Sequence, residues 1–78
     1  MYEVILPKFE PNTEEALIKE WLKKEGDHVK KDNPLFLMET IKAVIEVPSE
    51  CEGILKKIIV KEGKTVPVLS VIALIEEK

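Results

Sequence analysis

The sequence predicts an all-β domain in which two similar units close face to face as a compact sandwich or flattened barrel. Three observations carry this. The chain is written twice, its apolar runs are short and rich in branched residues, and a Glu-Gly pair recurs at the same place in each copy. At 78 residues, the chain is long enough for one small domain, spanning residues 1–78, with a modest core.

A shift of 37 positions sets residues 18–40 against 55–77. Lys19 then meets Lys56, Lys24 meets Lys61, and Glu25-Gly26 meets Glu62-Gly63. Val29 meets Val66, Leu37 meets Leu74 and Glu39 meets Glu76, and extending backwards brings Pro11 onto Pro48. The copies are expected to run from about 7 to 41 and from 44 to 78, related by an approximate two-fold axis.

Taken in order, "EVIL" at residue 3 and "LFLM" at 35 read as strands, as do "VIEV" at 44, "ILKKIIV" at 54 and "VIALI" at 71. "ALIKEWL" at 16 also suits a helix, but its counterpart in the second copy is strongly β-branched, which decides for strand. Gly26 and Gly63 follow glutamates where turns need a residue free to take positive φ. Gly53 is assigned to a turn or to close packing. The expected core is Val29, Leu35, Leu37, Val44, Ile45, Val47, Leu55, Ile59, Val66, Ile72 and Leu74. Trp21 is expected half-buried with its indole N–H bonded to a partner.

Composition narrows the function. Hydrophobic residues make up 45% and charged residues 35%, the balance of a globular domain. Twelve cationic residues, all lysine, against fifteen acidic ones give a net charge of -3. No basic stripe is present to neutralise phosphates, so nucleic acid is not the expected partner. No apolar run nears the roughly 20 residues of a membrane span, and no signal-peptide pattern opens the chain. The single cysteine, Cys51, cannot form an internal disulfide, which fits a reducing, cytoplasmic setting.

One lysine stands apart. Lys42 lies alone between two apolar runs, in the gap between the copies, whereas many of the others come in charged pairs such as Lys23-Lys24. A single strand from 36 to 47 would be about twice the usual length. The two-fold arrangement instead predicts a tight hairpin with Ile41 and Lys42 at its tip, built on a type I turn. The two chain termini then meet on the opposite side. An enzymatic use of these residues lacks support. A Schiff-base lysine needs desolvation or nearby positive charge, and Glu39 and Glu46 flank this one. Cys51 lies between Glu50 and Glu52, which disfavours a thiolate partnered by His28. No glycine-rich phosphate loop or metal-ligand spacing occurs.

The segment "ETIKAVIEVPSECEG" resembles the lipoyl domain of the acyltransferase component of 2-oxo acid dehydrogenase complexes, whose usual motif is Glu-Thr-Asp-Lys-Ala followed by a strand and Pro-Ser. Gly26, sixteen residues before Lys42, and Gly53, eleven after it, also fall in the family's places. The resemblance covers the whole chain. It implies two four-stranded antiparallel sheets, with lipoate amide-linked to Lys42 and recognition by Glu39, Thr40, Ile41 and Ala43. It also implies a monomeric module cut from a longer acyltransferase. The implied partners are a lipoate-protein ligase or lipoyl transferase, a 2-oxo acid decarboxylase, dihydrolipoamide dehydrogenase and an acyltransferase catalytic domain. Ile41 departs from the motif, where the family commonly has Asp. The alternatives are a biotin carboxyl carrier, although biotinyl domains flank their lysine with methionine, and an unmodified barrel-sandwich adaptor.

Overall fold

The structure, a computed structural model, describes residues 1–77. Eight strands follow in order: β1 (Tyr2–Ile5), β2 (Glu15–Trp21), β3 (His28–Val29), β4 (Pro34–Glu39), β5 (Val44–Pro48), β6 (Gly53–Ile58), β7 (Thr65–Pro67) and β8 (Val71–Glu77). They form two antiparallel four-stranded sheets, β1-β8-β6-β3 and β5-β4-β2-β7. Exchanging β1 with β5, β2 with β6, β3 with β7 and β4 with β8 turns one sheet order into the other, so the expected two-fold relation is present. Each sheet takes two strands from each copy.

The pairing registers obey the same exchange. Ile18 pairs with Met38 as Leu55 pairs with Ile75, and both ladders slip by one residue directly afterwards. Tyr2 pairs with Ile75 as Ile45 pairs with Met38. This last match corrects the copy boundaries. β1 belongs to the first copy, so that copy begins at residue 2, not 7, and Tyr2 lies 43 residues before its equivalent, Ile45. Pro48 is therefore the counterpart of Ile5, while Pro11 lies in a connection that is longer in the first copy. The expected end of the second copy, Lys78, lies outside the described residues.

The side chains buried between the sheets are led by Phe36, Leu6, Ile18, Leu35, Met38, Leu55, Ile72 and Ile75. Five expected core residues, Val29, Leu35, Val47, Leu55 and Ile72, are buried. Val44 and Ile59 are exposed, and Leu37, Ile45, Val66 and Leu74 are only half-buried. For Leu37 the reason is a bulge. Between Pro34 and Phe36 the β4–β5 register shifts, so Leu35 and Phe36 are both buried in succession. Alternation counted from Leu35 expects Leu37 inside; past the bulge the count restarts at Phe36, which places Leu37 outward and Phe36 and Met38 inside.

The Glu-Gly turns hold the copies together. Gly26 and Gly63 have φ of 94° and 88°, as the turn argument requires. The Glu25 carboxylate accepts the Ile58 N–H at 2.7 Å, and the Glu62 carboxylate accepts the Trp21 N–H at 3.1 Å. These bonds are dyad mates, each reaching from one copy into the other and satisfying a strand-end amide. Trp21 is half-buried as expected, donating its indole N–H to the Val60 carbonyl at 2.9 Å and packing 5.0 Å from the Phe36 ring.

Candidate functional site

Strands β4 and β5 pair up to Glu39–Val44, which leaves Thr40 to Ala43 as the connecting turn. The Thr40 N–H donates to the Ala43 carbonyl at 2.8 Å and closes the loop. The Thr40 hydroxyl oxygen accepts the N–H groups of Lys42 and Ala43, at 3.3 and 3.2 Å. A threonine side chain thus does the work that a glycine-containing dipeptide does in other hairpins. Neither Ile41 nor Lys42 has positive φ, so this is not a mirror-image turn.

That geometry presents the lysine. The Lys42 side chain is 79% exposed, and Ile41 beside it is 105% exposed, with no burial for its apolar surface. Lys42 Nζ lies 3.3 Å from the carboxylate of Glu10, which belongs to the connection between β1 and β2. A cleft of about 410 Å³ separates that connection from the hairpin tip. Glu10 has no counterpart in the expected site. Its signal in the sequence is the dipeptide Glu3-Val4, which repeats as Glu46-Val47 at a spacing of 43, not 37, and so marks extra residues between β1 and β2.

Of the expected recognition residues, Thr40 is engaged in the turn, while Ile41 and Ala43 stand exposed beside Lys42. Glu39 pairs across strands with Lys19 at 3.5 Å. The second copy repeats this as Lys56 and Glu76, at 3.9 Å. The Glu39 pair is therefore a property of the repeat, present where no lysine hairpin exists.

The catalytic alternatives find no assembly among the described residues. His28 faces Glu52 at 3.2 Å. Burial pushes the Cys51 thiol up, and Glu77 and Glu50 push it further, so a thiolate is disfavoured. The primary amine of Lys42 is exposed, on a turn closed by the Thr40 bonds.

A family of biotin- and lipoyl-bearing domains, described as "Biotin-requiring enzyme", matches residues 2–75. The chain belongs to the biotinyl/lipoyl domain family. Domains of this family are carriers of a group held on a lysine, and the chain is a carrier domain, not an enzyme in itself. Within the family it is similar to the dihydrolipoyllysine-residue acetyltransferase component of the pyruvate dehydrogenase complex of Rickettsia prowazekii. The two are 42% identical over 77 residues, covering 97% of this chain and 19% of the relative. The dihydrolipoyllysine-residue succinyltransferase component of the 2-oxoglutarate dehydrogenase complex of Rickettsia bellii is 44% identical over 66 residues, covering 85% of this chain and 16% of the relative. The chain thus spans less than a fifth of the length of these relatives. Among solved structures, the lipoyl domain of the 2-oxoglutarate dehydrogenase complex from Azotobacter vinelandii superposes with a TM-score of 0.81 at 30% identity, covering 99% of this chain and 98% of that one.

Proposed function

We propose that lipoate is amide-linked to Lys42 and that the domain carries acyl groups and electrons between the active sites of a 2-oxo acid dehydrogenase complex. The observation that carries this is the placement of Lys42: a primary amine, largely exposed, at the tip of a turn pinned by Thr40. The site fits the group, since attachment needs an accessible amine and the Lys42 side chain is largely exposed, its ammonium paired only with the Glu10 carboxylate among the described residues. The names of the relatives favour lipoate over biotin, as does the lack of a methionine at Ile41 or Ala43.

Attachment is an acyl transfer to nitrogen. The Lys42 nitrogen attacks the carbonyl carbon of an acyl-adenylate held by a ligase. The ammonium first gives one proton to solvent, the C–N bond forms, the C–O bond to phosphate breaks, AMP departs, and the nitrogen gives a second proton to solvent, which leaves one hydrogen as the amide N–H. A lysine in water is almost wholly protonated at neutral pH, so the ligase must gain its rate by positioning the amine. Once attached, the dithiolane supplies the sulfurs that take up an acyl group and two electrons. The arm spans on the order of 14 Å when extended. Thr40 holds the turn so that the arm starts from a fixed point, and Glu39, Ile41 and Ala43 flank it as the surface that partner enzymes read.

The partners under this reading are a lipoate-protein ligase or lipoyl transferase, a 2-oxo acid decarboxylase, dihydrolipoamide dehydrogenase and an acyltransferase catalytic domain. Residues 1–78 form one module of a longer cytoplasmic acyltransferase.

Lys42→Arg tests the assignment. Arginine retains charge and reach but cannot become the acylated amine. With lipoyl ligase, lipoate and ATP, the wild type gains one lipoyl mass increment and the variant gains none, while stability shifts by less than roughly 0.5 kcal/mol. A lipoyl increment on Lys42→Arg, with eleven other lysines present, would overturn the assignment.

A further inference from the structure

The two copies differ most in one connection. Residues 6–14 join β1 to β2, whereas residues 49–52 suffice for the dyad-related join of β5 to β6. The extra residues lie at the corner beside Lys42. Glu10 sits among them, its side chain only 29% exposed, with its carboxylate 3.3 Å from the Lys42 ammonium. A backbone bond from the Thr13 N–H to the Glu10 carbonyl, at 3.1 Å, closes the connection on itself at that point. Glu14 and Glu15 line the same cleft, and Lys42 is the one cation among its lining residues.

We propose that Glu10 and its loop report the modification state of Lys42: the carboxylate holds the unmodified ammonium and loses its partner when that nitrogen becomes an amide. This rests on the reading that Lys42 is acylated. An amide nitrogen carries no charge, so the Coulomb attraction across the cleft disappears with the reaction. Three carboxylates then line the cleft with no cation among them, and their mutual repulsion favours opening. The corner presents one more unit of net negative charge after modification than before. A cationic partner surface can use that difference to tell a loaded domain from an empty one.

Amide hydrogen exchange on the full chain tests this, with Thr13 as the reporter of loop opening. Lys42→Gln places an uncharged amide at the tip without any cofactor. After correction for intrinsic rates, Thr13 exchange should rise roughly two- to fivefold in Lys42→Gln, the factor expected for losing an exposed ion pair. Glu10→Gln and the lipoylated wild type should show the same rise, and the double variant should add nothing to either single one. The Ile18 amide, bonded to the Lys64 carbonyl where β2 meets the start of β7, should be unchanged in all of them and so reports an intact fold. Thr13 exchange unchanged from wild type in Lys42→Gln or in Glu10→Gln overturns the proposal, as does an additive double variant. The Lys42→Gln arm needs no lipoate, so its failure is separate from a failure of attachment, which mass spectrometry reads independently.

Discussion

Gly53→Ala should destabilise the domain far more than the added methyl suggests. Gly53 opens β6 and pairs with Glu77 of β8 on one side and Val29 of β3 on the other. A Cβ built there falls well inside contact distance of the Glu76 carbonyl oxygen, 2.8 Å from the carbon of that carbonyl and 3.0 Å from the Glu77 Cα. All three are backbone atoms, so no rotamer can make room. Either β8 moves away from β6, weakening the Gly53–Glu77 and Ile54–Glu76 pairs, or β6 twists and disturbs Leu55, which is fully buried. Overpacking of this kind costs about 1–3 kcal/mol. The dyad mate of Gly53 is Ala16, a buried position that already carries a Cβ. Ala is therefore acceptable to the fold at this place in one copy and not in the other. Urea unfolding measures the loss: with m near 1 kcal/mol/M for a chain this small, the midpoint should fall by about 1–3 M. A midpoint shift below about 0.5 M at unchanged m would refute the close approach of β8 and the register it depends on.

Three further outcomes follow from the same geometry. Glu39→Ala should slow lipoylation while Glu76→Ala leaves its rate unchanged, and each should shift stability by less than about 0.5 kcal/mol; equal rates in both variants would assign Glu39 to the repeat alone. Leu69 has a φ of 71° and an exposed side chain, and its dyad mate Asp32 has a φ of 74°. Because Asn tolerates this region better than Leu, Leu69→Asn should gain about 0.5–1 kcal/mol, and a loss would show that the leucine's packing outweighs its strain. Burial raises the pKa of both Tyr2 and Cys51, with Glu50 and Glu77 adding to it. The folded state thus keeps these protons longer than the unfolded chain. The associated stability is fully present below the ordinary values of 9.0 for the thiol and 10.0 for the phenol and is lost as pH rises from those values through the higher folded ones. Melting temperature should decline above pH 9, less steeply in Cys51→Ala; a flat profile contradicts the burial of both groups.

The repeat made much of the architecture legible. At a constant spacing of 37, β2, β4, β6 and β8 follow from their counterparts, and the ambiguous "ALIKEWL" is resolved by "ILKKIIV". The hairpin at Lys42 follows from the same logic. β3 and β7 were not legible, because strands of two and three residues are too short to show alternation. The start of the first copy was hidden by the longer β1–β2 connection, and the chance match of Pro11 with Pro48 pointed the wrong way. Leu37 and Leu74 turn away from the interior where simple alternation expects them inside, because bulges reverse the parity and periodicity does not reveal a bulge. Glu10 was out of reach for a different reason: its place opposite Lys42 depends on the path of an irregular loop.

Because each sheet is assembled from both copies, neither half of the chain holds a core of its own. Phe36 and Ile18 come from one half and Ile75 and Leu55 from the other, and the Glu25 and Glu62 bonds cross between them. The covalent link between halves is only the four-residue turn that carries Lys42, and it lies outside the packed interior. A protease that cuts after Lys42 therefore leaves two interlocked fragments with every core contact and both carboxylate bonds intact. In that sense the molecule is a heterodimer whose subunits happen to be joined, and Lys42 occupies the joint. Under the proposed attachment, the amide removes the charge that a trypsin-like enzyme requires at that bond, so loading the carrier would also seal the joint against cleavage.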